Sequence, residues 1–361
     1  MEVLVLVLSF VILLAIGVPI AFSIGISGIL TMLMSIDFIP AFTTYAHRMA
    51  TGLDSFALLA IPFFVLAGSI MNSGGIAMRL IDFARVLVGR FPAGLAFVNV
   101  IANMLFGAIS GSAAASSSAI GTIMNNEMKK EGYDPGFSAA VNITSATTGL
   151  TIPPSNVLII YSLASGGASI TALFLAGYVP GILTGLGIML VALTMVVFKN
   201  RGMKGVVTVL ARIIIVSLGL LGAGIGLKAL HDNASTLLFR IVIYTLAGIF
   251  VAWFVYYSSR HWKGFKFAMK KFVDALPSLM MLVIVIGGIV AGYFTATEAS
   301  AVAVLYALIL ALIYKEITVK DIPSIILTSI RTTCIVLLLV ATSIGMSWIM
   351  SYENIPQNVS A

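Results

Sequence analysis

Two interruptions constrain this chain more than any other feature. Across residues 103–156 it reads N-M-L-F-G-A-I-S-G-S-A-A-A-S-S-S-A-I-G-T-I-M, then a polar turn, then F-S-A-A-V-N-I-T-S-A-T-T-G-L-T-I-P-P-S-N. Ser110, Gly111, Ser112, Ser116, Ser117 and Ser118 break one apolar run. Gly149, Thr151, Pro153, Pro154, Ser155 and Asn156 break the next. In hydrocarbon, a broken helix leaves backbone N–H and C=O groups unpaired, at a cost of several kcal/mol each. Such breaks persist where protein buries them or where they line a cavity, often to hold ions and substrate.

The surroundings are hydrocarbon by composition. Of 361 residues, 60% are hydrophobic and 9% charged, against about 25% charged in a soluble domain. The chain is therefore expected to be an all-α polytopic membrane protein. Its net charge of +7 is then a matter of loops and sidedness, and not a nucleic-acid signal. A lone cysteine, Cys334, excludes a disulfide framework and a Cys-based metal site. His47, His231 and His261 are scattered, with no His/Asp/Glu cluster at metal spacing. No basic region precedes the first apolar run, so a cleaved signal peptide is not expected.

Residues 3–34 are apolar throughout, about 48 Å if one straight helix, which overshoots a hydrocarbon core of about 30 Å. Gly17-Val18-Pro19 divides them into 3–16 and 18–34. A polar connector, 37–55, leads to a span at 56–71 that contains Pro62. Residues 76–90, with Arg79, Asp82, Arg85 and Arg90, suit an amphipathic helix in the membrane interface. The broken segments 94–124 and 137–167 flank a charged turn at 125–135. Spans follow at 172–198, 206–230 and 236–257, then a basic stretch at 260–271. A second double-length run, 278–314, divides near Thr295-Ala296-Thr297-Glu298. An amphipathic stretch, 315–331, precedes a last span at 332–350.

Sidedness follows from counting. With the amino terminus outside and 94–124 entering and leaving on one side, 17 of the 20 lysines and arginines fall on or beside one face. The positive-inside rule makes that face cytoplasmic. The loops 199–205 and 260–271 are then cytoplasmic, and 231–235 and 351–361 periplasmic. The order of double segment, connector and single span occurs at 3–71 and again, inverted, at 278–350, as in secondary transporters. Four parts result: scaffold helices and an arm helix at 1–93, a transport unit at 94–167, connecting spans at 168–277, and at 278–361 the start of a second repeat lacking a counterpart hairpin.

The serine cluster alone would suit close helix packing; a Pro-Pro break one segment later favours an ion site. Pro153 and Pro154 donate no N–H, so neighbouring carbonyls are freed to accept a hard cation without a buried formal charge. Glu298 is the one acid within an apolar double segment and so a functional candidate by default; its periplasmic position favours a solvated turn. Arg48 is the lone basic residue of the outer loops in the opening third. It would meet a carboxylate or simply the headgroups. The 260–271 run reads as a lipid-facing segment, and Asp134 before Pro135 as a turn or helix start.

The broken segments, with Asp54-Ser55-Phe56, Ala60-Ile61-Pro62-Phe63-Phe64, Gly132-Tyr133-Asp134-Pro135 and Phe294-Thr295-Ala296-Thr297-Glu298-Ala299, resemble the large membrane subunit of the tripartite ATP-independent periplasmic (TRAP) transporters. The resemblance covers nearly the whole chain. It implies an elevator-type fold with a re-entrant hairpin and a broken helix. It implies sodium-driven uptake of organic acids, such as sialic acids or C4-dicarboxylates, across the bacterial inner membrane. The implied partners are a small four-helix membrane subunit and a periplasmic substrate-binding protein, in a lipid bilayer and with no nucleic acid. No cofactor is implied beyond the coupling sodium ion. The matching sodium positions are Ser110, Ser116, Ser117, Ser118, Gly149, Ile152 and Pro154. Ser112, Thr151, Ser155, Asn156 and Arg48 are substrate candidates. Family members usually continue into a second hairpin and a second Pro-Pro break, so this chain alone is not expected to transport; they also lack the extra segments 206–230 and 236–257.

Alternatives lie within transport and outside it. A stand-alone sodium–dicarboxylate carrier or ion antiporter on a related inverted repeat would need no binding protein. An intramembrane enzyme would need paired acids, a Ser-His pair or a His-rich site within spans, and the sequence offers none, so a non-enzyme is expected. A purely structural subunit would give the costly breaks no purpose.

Overall fold

The computed structural model describes residues 1–165, 167–232 and 262–355. The segment read as a span at 236–257 lies outside them, as do residues 260 and 261 of the basic stretch. Every regular element among the described residues is helical: α1 (Glu2–Ala15), α2 (Ile20–Met32), α3 (Phe38–Leu53), a single 3₁₀ turn (Phe56–Leu59), α4 (Ala60–Ser73), α5 (Ile76–Val88), α6 (Gly94–Ser110), α7 (Ala113–Lys130), α8 (Pro135–Thr151), α9 (Asn156–Ala164), α10 (Ile170–Asp232), α11 (Trp262–Val290), α12 (Ala296–Ile313) and α13 (Ile322–Tyr352). Among the described residues five helical stretches are long and apolar enough to cross a membrane: Phe56–Ser73, Ile170–Val209, Lys266–Val290, Ala296–Ile313 and Ile322–Tyr352. The chain is an all-α multi-pass membrane protein.

The breaks fall where the sequence breaks the pattern. Pro19 precedes α2, and Gly17 turns the chain with φ +89°. The second double segment parts between α11 and α12. There Thr295 accepts from the Glu298 amide at 3.3 Å while Glu298 accepts from the Thr295 amide at 2.7 Å. This reciprocal capping box satisfies two orphan donors of a helix start and gives the exposed Glu298 a structural task in the turn. Asp134 caps α8 from one side only, accepting from Phe137 N at 2.9 Å, with Pro135 at the first helical position.

Several expected connectors are helical. Residues 37–55 contain α3, and 125–130 continue α7 up to a turn at 131–134. Lys129 and Lys130 lie exposed in the last turn of α7, while Arg48 lies exposed within α3. The expected loop at 199–205 is instead a kink within α10 at Gly202, whose φ of 65° and ψ of −169° lie outside the helical region. Part of the 315–331 stretch is the opening of α13. Helix α5 is amphipathic as expected, but its apolar residues Ile76, Ala77, Leu80, Ile81 and Ala84 are buried against protein, chiefly α6 and α11. Its charged face pairs Asp82 with Lys271 of α11 at 2.6 Å and Arg85 with Glu127 of α7.

Packing is reciprocal between the two ends of the chain. Helix α2 lies on α13, and α12 lies on α4; α1 packs on α2, and α11 on α12. The main core runs through α4, α5, α6 and α12, with Phe64 and Phe106 fully enclosed. A small satellite core of Met32, Ala41, Tyr45 and Ile349 forms where α2, α3 and α13 meet. The Tyr45 hydroxyl there donates to the Thr342 carbonyl at 3.0 Å. Against this frame sits the unit that carries both interrupted segments, α6 to α9.

Candidate functional site

Helix α6 stops because Gly111 adopts φ +61°, a left-handed conformation that glycine takes without a Cβ penalty. Its N–H still donates to the Gly107 carbonyl at 2.8 Å. Ser112 then turns extended and accepts from Ala115 N at 3.2 Å, which caps α7. Only these two residues separate the helices, so α7 folds back along α6. The Ser116 hydroxyl donates to Asn103 Oδ1 at 2.7 Å, and Asn99 Nδ2 reaches Met128 Sδ at 3.7 Å. Residues 94–130 are therefore an antiparallel helical hairpin with Gly111-Ser112 at its tip.

The second interruption has a different cause. Pro153 and Pro154 carry no N–H, so the carbonyls four residues earlier, Gly149 and Leu150, lose their helical partners. The Ser155 hydroxyl donates to the Leu150 carbonyl and accepts from Leu158 N at 3.4 Å. Serine thus closes one freed carbonyl and caps α9 in a single stroke. The Gly149 carbonyl gains no such substitute from the proline segment.

The two interruptions meet. Helices α6 and α8 cross at Gly107 and Gly149 so closely that a Cβ on Gly149 would stand 2.4 Å from Gly107 Cα. Ser116 Oγ lies about the same crossing, 3.5 Å from the position of a Cβ on Gly107. At the tip, Asn156 Nδ2 donates to the Gly111 carbonyl at 3.4 Å. The carboxyl ends of α6 and α8 and the amino ends of α7 and α9 therefore converge on one region. Carbonyl ends favour cations and N–H ends favour anions.

A carboxamide network lies along the same three helices. Asn103 Nδ2 is within hydrogen-bond distance of Asn99 Oδ1 (2.6 Å), Ser145 Oγ (2.9 Å) and Asn142 Oδ1 (3.1 Å). Asn142 Nδ2 donates to the Ser117 carbonyl at 2.8 Å. Asn99, Asn103, Ser116 and Ser145 are fully buried. The sequence reading passed over Asn99, Asn142 and Ser145 and gave Asn103 no role. Their signal was there: Asn99 and Asn103 stand four apart, one face of a helix, inside an apolar run, and a polar side chain within a span needs a partner.

The expected site residues separate into groups. Ser116 is buried beside Gly107 and Gly149. Ser110 is 1% exposed, held against Gly68 of α4, with its hydroxyl 3.4 Å from the Ser112 carbonyl. Ser117 is half-buried and contributes its carbonyl to Asn142; Ser118 is exposed. Three consecutive helical residues span about 200°, so they point in different directions. Ile152 and Pro154 are buried, Ile152 against Gly181 of α10. Thr151 donates to the Thr148 carbonyl at 2.8 Å and also faces Gly181. Ser112, Ser155 and Asn156 stand at the two helix starts. Arg48 stands apart on α3, exposed, its guanidinium 5.2 Å from the centre of the Trp348 ring.

No group of three or more His, Cys, Asp or Glu gathers among the described residues. An ion held at this convergence would meet hydroxyl, carboxamide and carbonyl oxygens.

Comparison with known proteins fits this architecture. Residues 7–361 match the family described as the tripartite ATP-independent periplasmic transporter, DctM component. The protein YgiK of Salmonella typhimurium is 46% identical over 98% of this chain and 68% of its own length. The C4-dicarboxylate TRAP transporter large permease protein DctM of Rhodobacter capsulatus is 32% identical over 94% of this chain and 68% of its own. The sialic acid TRAP transporter large permease protein SiaM of Vibrio cholerae is 32% identical over 94% and 66%. The chain thus spans about two thirds of these relatives' length. It belongs to the DctM family, the large membrane subunits of the TRAP transporters.

Proposed function

We propose that this chain serves sodium-coupled uptake of an organic acid across the bacterial inner membrane. It would act with a small membrane subunit and a periplasmic substrate-binding protein. The observation that carries the reading is the meeting of the hairpin tip with the Pro-Pro break, Gly111 against Asn156 and Ser116 beside Gly107 and Gly149. Relatives named for C4-dicarboxylate and for sialic acid support an acid as the substrate class.

The mechanism follows from converging helix ends. Sodium is co-transported, drawn by the freed Gly149 carbonyl, neighbouring carbonyls of 149–154 and the hydroxyls of Ser110 and Ser116. Binding draws the hairpin tip onto the break. The N–H ends of α7 and α9, with Ser112, Thr151 and Ser155 beside them, then face an anionic group. Ion and acid are coupled because each binds better to the arrangement the other stabilises. The unit α6–α9 then moves as a body past the frame of α1–α4, α12 and α13, with the hairpin re-entering from the cytoplasmic side and the two repeats inverted. Arg48 lies away from that cage and is a better candidate for meeting the binding protein or the headgroups.

Uptake by proteoliposomes holding the full-length protein, its small subunit and a cognate binding protein tests the reading. An imposed inward sodium gradient should drive accumulation of the acid. Accumulation that ignores sodium and follows an imposed proton gradient would refute the coupling; accumulation without any binding protein would favour a stand-alone carrier.

A further inference from the structure

We propose that Asn156 is a cation ligand and that its side chain ties the bound ion to the hairpin tip. The inference rests on the sodium-coupled reading above and names an atom within that site.

Asn156 is 7% exposed and sits at the start of α9, facing Gly111. Its two polar atoms fare differently. Nδ2 points at the Gly111 carbonyl, while Oδ1 is buried with no hydrogen-bond donor on it among the described residues. Exchanging the two atoms would set Oδ1 against the Gly111 carbonyl, one acceptor facing another, so this orientation is the better one. The hydroxyls of Ser278, Tyr314 and Thr333 are also buried and unpartnered. A hydroxyl both donates and accepts and rotates to suit; an amide oxygen only accepts. Oδ1 therefore awaits a group brought to it.

That group is best a cation. Neither 91–126 nor 135–198 contains a single Lys, Arg or His, so neither broken segment supplies a positive partner of its own. The Gly149 carbonyl on the same break has also lost its helical donor to Pro153. An anionic substrate meets such acceptors unfavourably, whereas hard cations take oxygen ligands. A cation on Oδ1 would polarise the amide and strengthen Nδ2–H toward the Gly111 carbonyl, since hydrogen-bonded groups polarise one another. Ion binding would thereby tighten a contact that is long, 3.4 Å, and bring the tip onto α9.

The test is thermal stabilisation of the full-length protein in lipid nanodiscs, titrated with sodium chloride at constant ionic strength set by choline chloride. N156A should raise the half-saturating sodium concentration at least tenfold. N156D keeps an acceptor for the ion but loses the Nδ2 donor toward the Gly111 carbonyl, and should respond at a sodium concentration between those of wild type and N156A. An N156A protein with the wild-type midpoint, or an N156D protein that needs as much sodium as N156A, overturns the assignment. The two readings separate cleanly. If wild type responds and N156A matches it, the role of Asn156 alone falls. If wild type itself gains nothing from sodium over choline, the sodium-coupled reading falls and takes this inference with it.

Discussion

Helices pack closely in two places in this molecule, by opposite means. Between α4 and α12 the contact is dry. Ala299, Ala303, Ala307 and Ala311 recur every fourth residue along α12, all fully buried, and Ala60, Phe64, Ala67 and Met71 are buried on the α4 helix it packs against. Among α6, α7 and α8 the contact is polar, built from Asn99, Asn103, Ser116, Asn142 and Ser145 around the Gly107–Gly149 crossing. Small apolar residues let helices approach but accept small rotations and slips. Carboxamides with fixed partners allow one register. The frame uses the first device, and the unit with two broken helices uses the second. Broken helices lose the intrahelical bonds that would otherwise fix their ends, so side chains must hold them.

The largest effect should come from the crossing itself. Gly149→Val places its Cβ 2.4 Å from backbone, where no side chain can move aside. We expect a loss at or above the upper end of the roughly 1–3 kcal/mol typical of overpacking, seen as loss of folded protein by detergent size exclusion. Near-normal yield and melting would mean that α6 and α8 part easily and that the polar contact is not tight.

Asn103→Leu should come next. It leaves Ser116, Asn142 and Ser145 short of a partner inside the unit, at about 1–3 kcal/mol per unsatisfied buried group; membrane hydrogen bonds measured one at a time average only about 0.6 kcal/mol. The distinguishing measurement is a double-mutant cycle with Asn142→Leu. Coupling above about 0.5 kcal/mol, the usual limit of additivity, marks a shared network. Simple additivity would reduce the carboxamides to independent packing groups.

A swap sharpens the contrast further. Ser116→Ala removes a hydroxyl from the polar contact and should cost about 1 kcal/mol. Ala303→Ser adds one to the dry contact, where it can donate to the carbonyl one turn back on its own helix, at a smaller cost. Chemical-denaturant melts of both variants decide the order. A costlier Ala303→Ser would show that the frame, and not the hairpin, is the more exacting of the two.

These contacts differ in how far the sequence discloses them. Breaks are legible because glycine and proline act locally, so the divisions at Gly17, Gly111 and Pro153-Pro154 could be placed from spacing alone. The family was legible from short motifs for the same reason. Partners across helices are not local. Asn99 and Asn142 look like stray polar residues until α6 and α8 are laid together, and the alanines of α12 look like ordinary helix formers. Charge marks helix ends as readily as loops: Lys129 and Lys130 lie in the last turn of α7, and Lys199 and Arg201 just before the break of α10 at Gly202. Which serine of the triplet 116–118 faces the crossing was not legible either, because three neighbours on a helix point in different directions.

The smallest expected effect concerns pH and bears on both contacts at once. None of the side chains named in either contact titrates, so neither should weaken between neutral and mildly acid conditions. Acid sensitivity then belongs to the edges. Asp321, just before α13, accepts from Thr318 N at 2.9 Å and from Thr318 Oγ1 at 2.7 Å. The side-chain hydrogen bond from Thr318, then the one from its backbone, holds the Asp321 carboxyl below its usual range. A carboxyl lowered on folding stabilises the fold above its unfolded pKa of about 3.9. That contribution fades as pH falls through the lower folded value. Melting in nanodiscs from pH 7 down to pH 3 should thus show little change until about pH 4 and a slight loss below it. Asp321→Asn should remove that last loss, at the cost of a weaker turn between Thr318 and Asp321 at every pH. A marked drop between pH 7 and pH 5, unaltered in Asp321→Asn, would mean that a titrating group lies within one of the two contacts and that their contrast is not simply dry against uncharged polar.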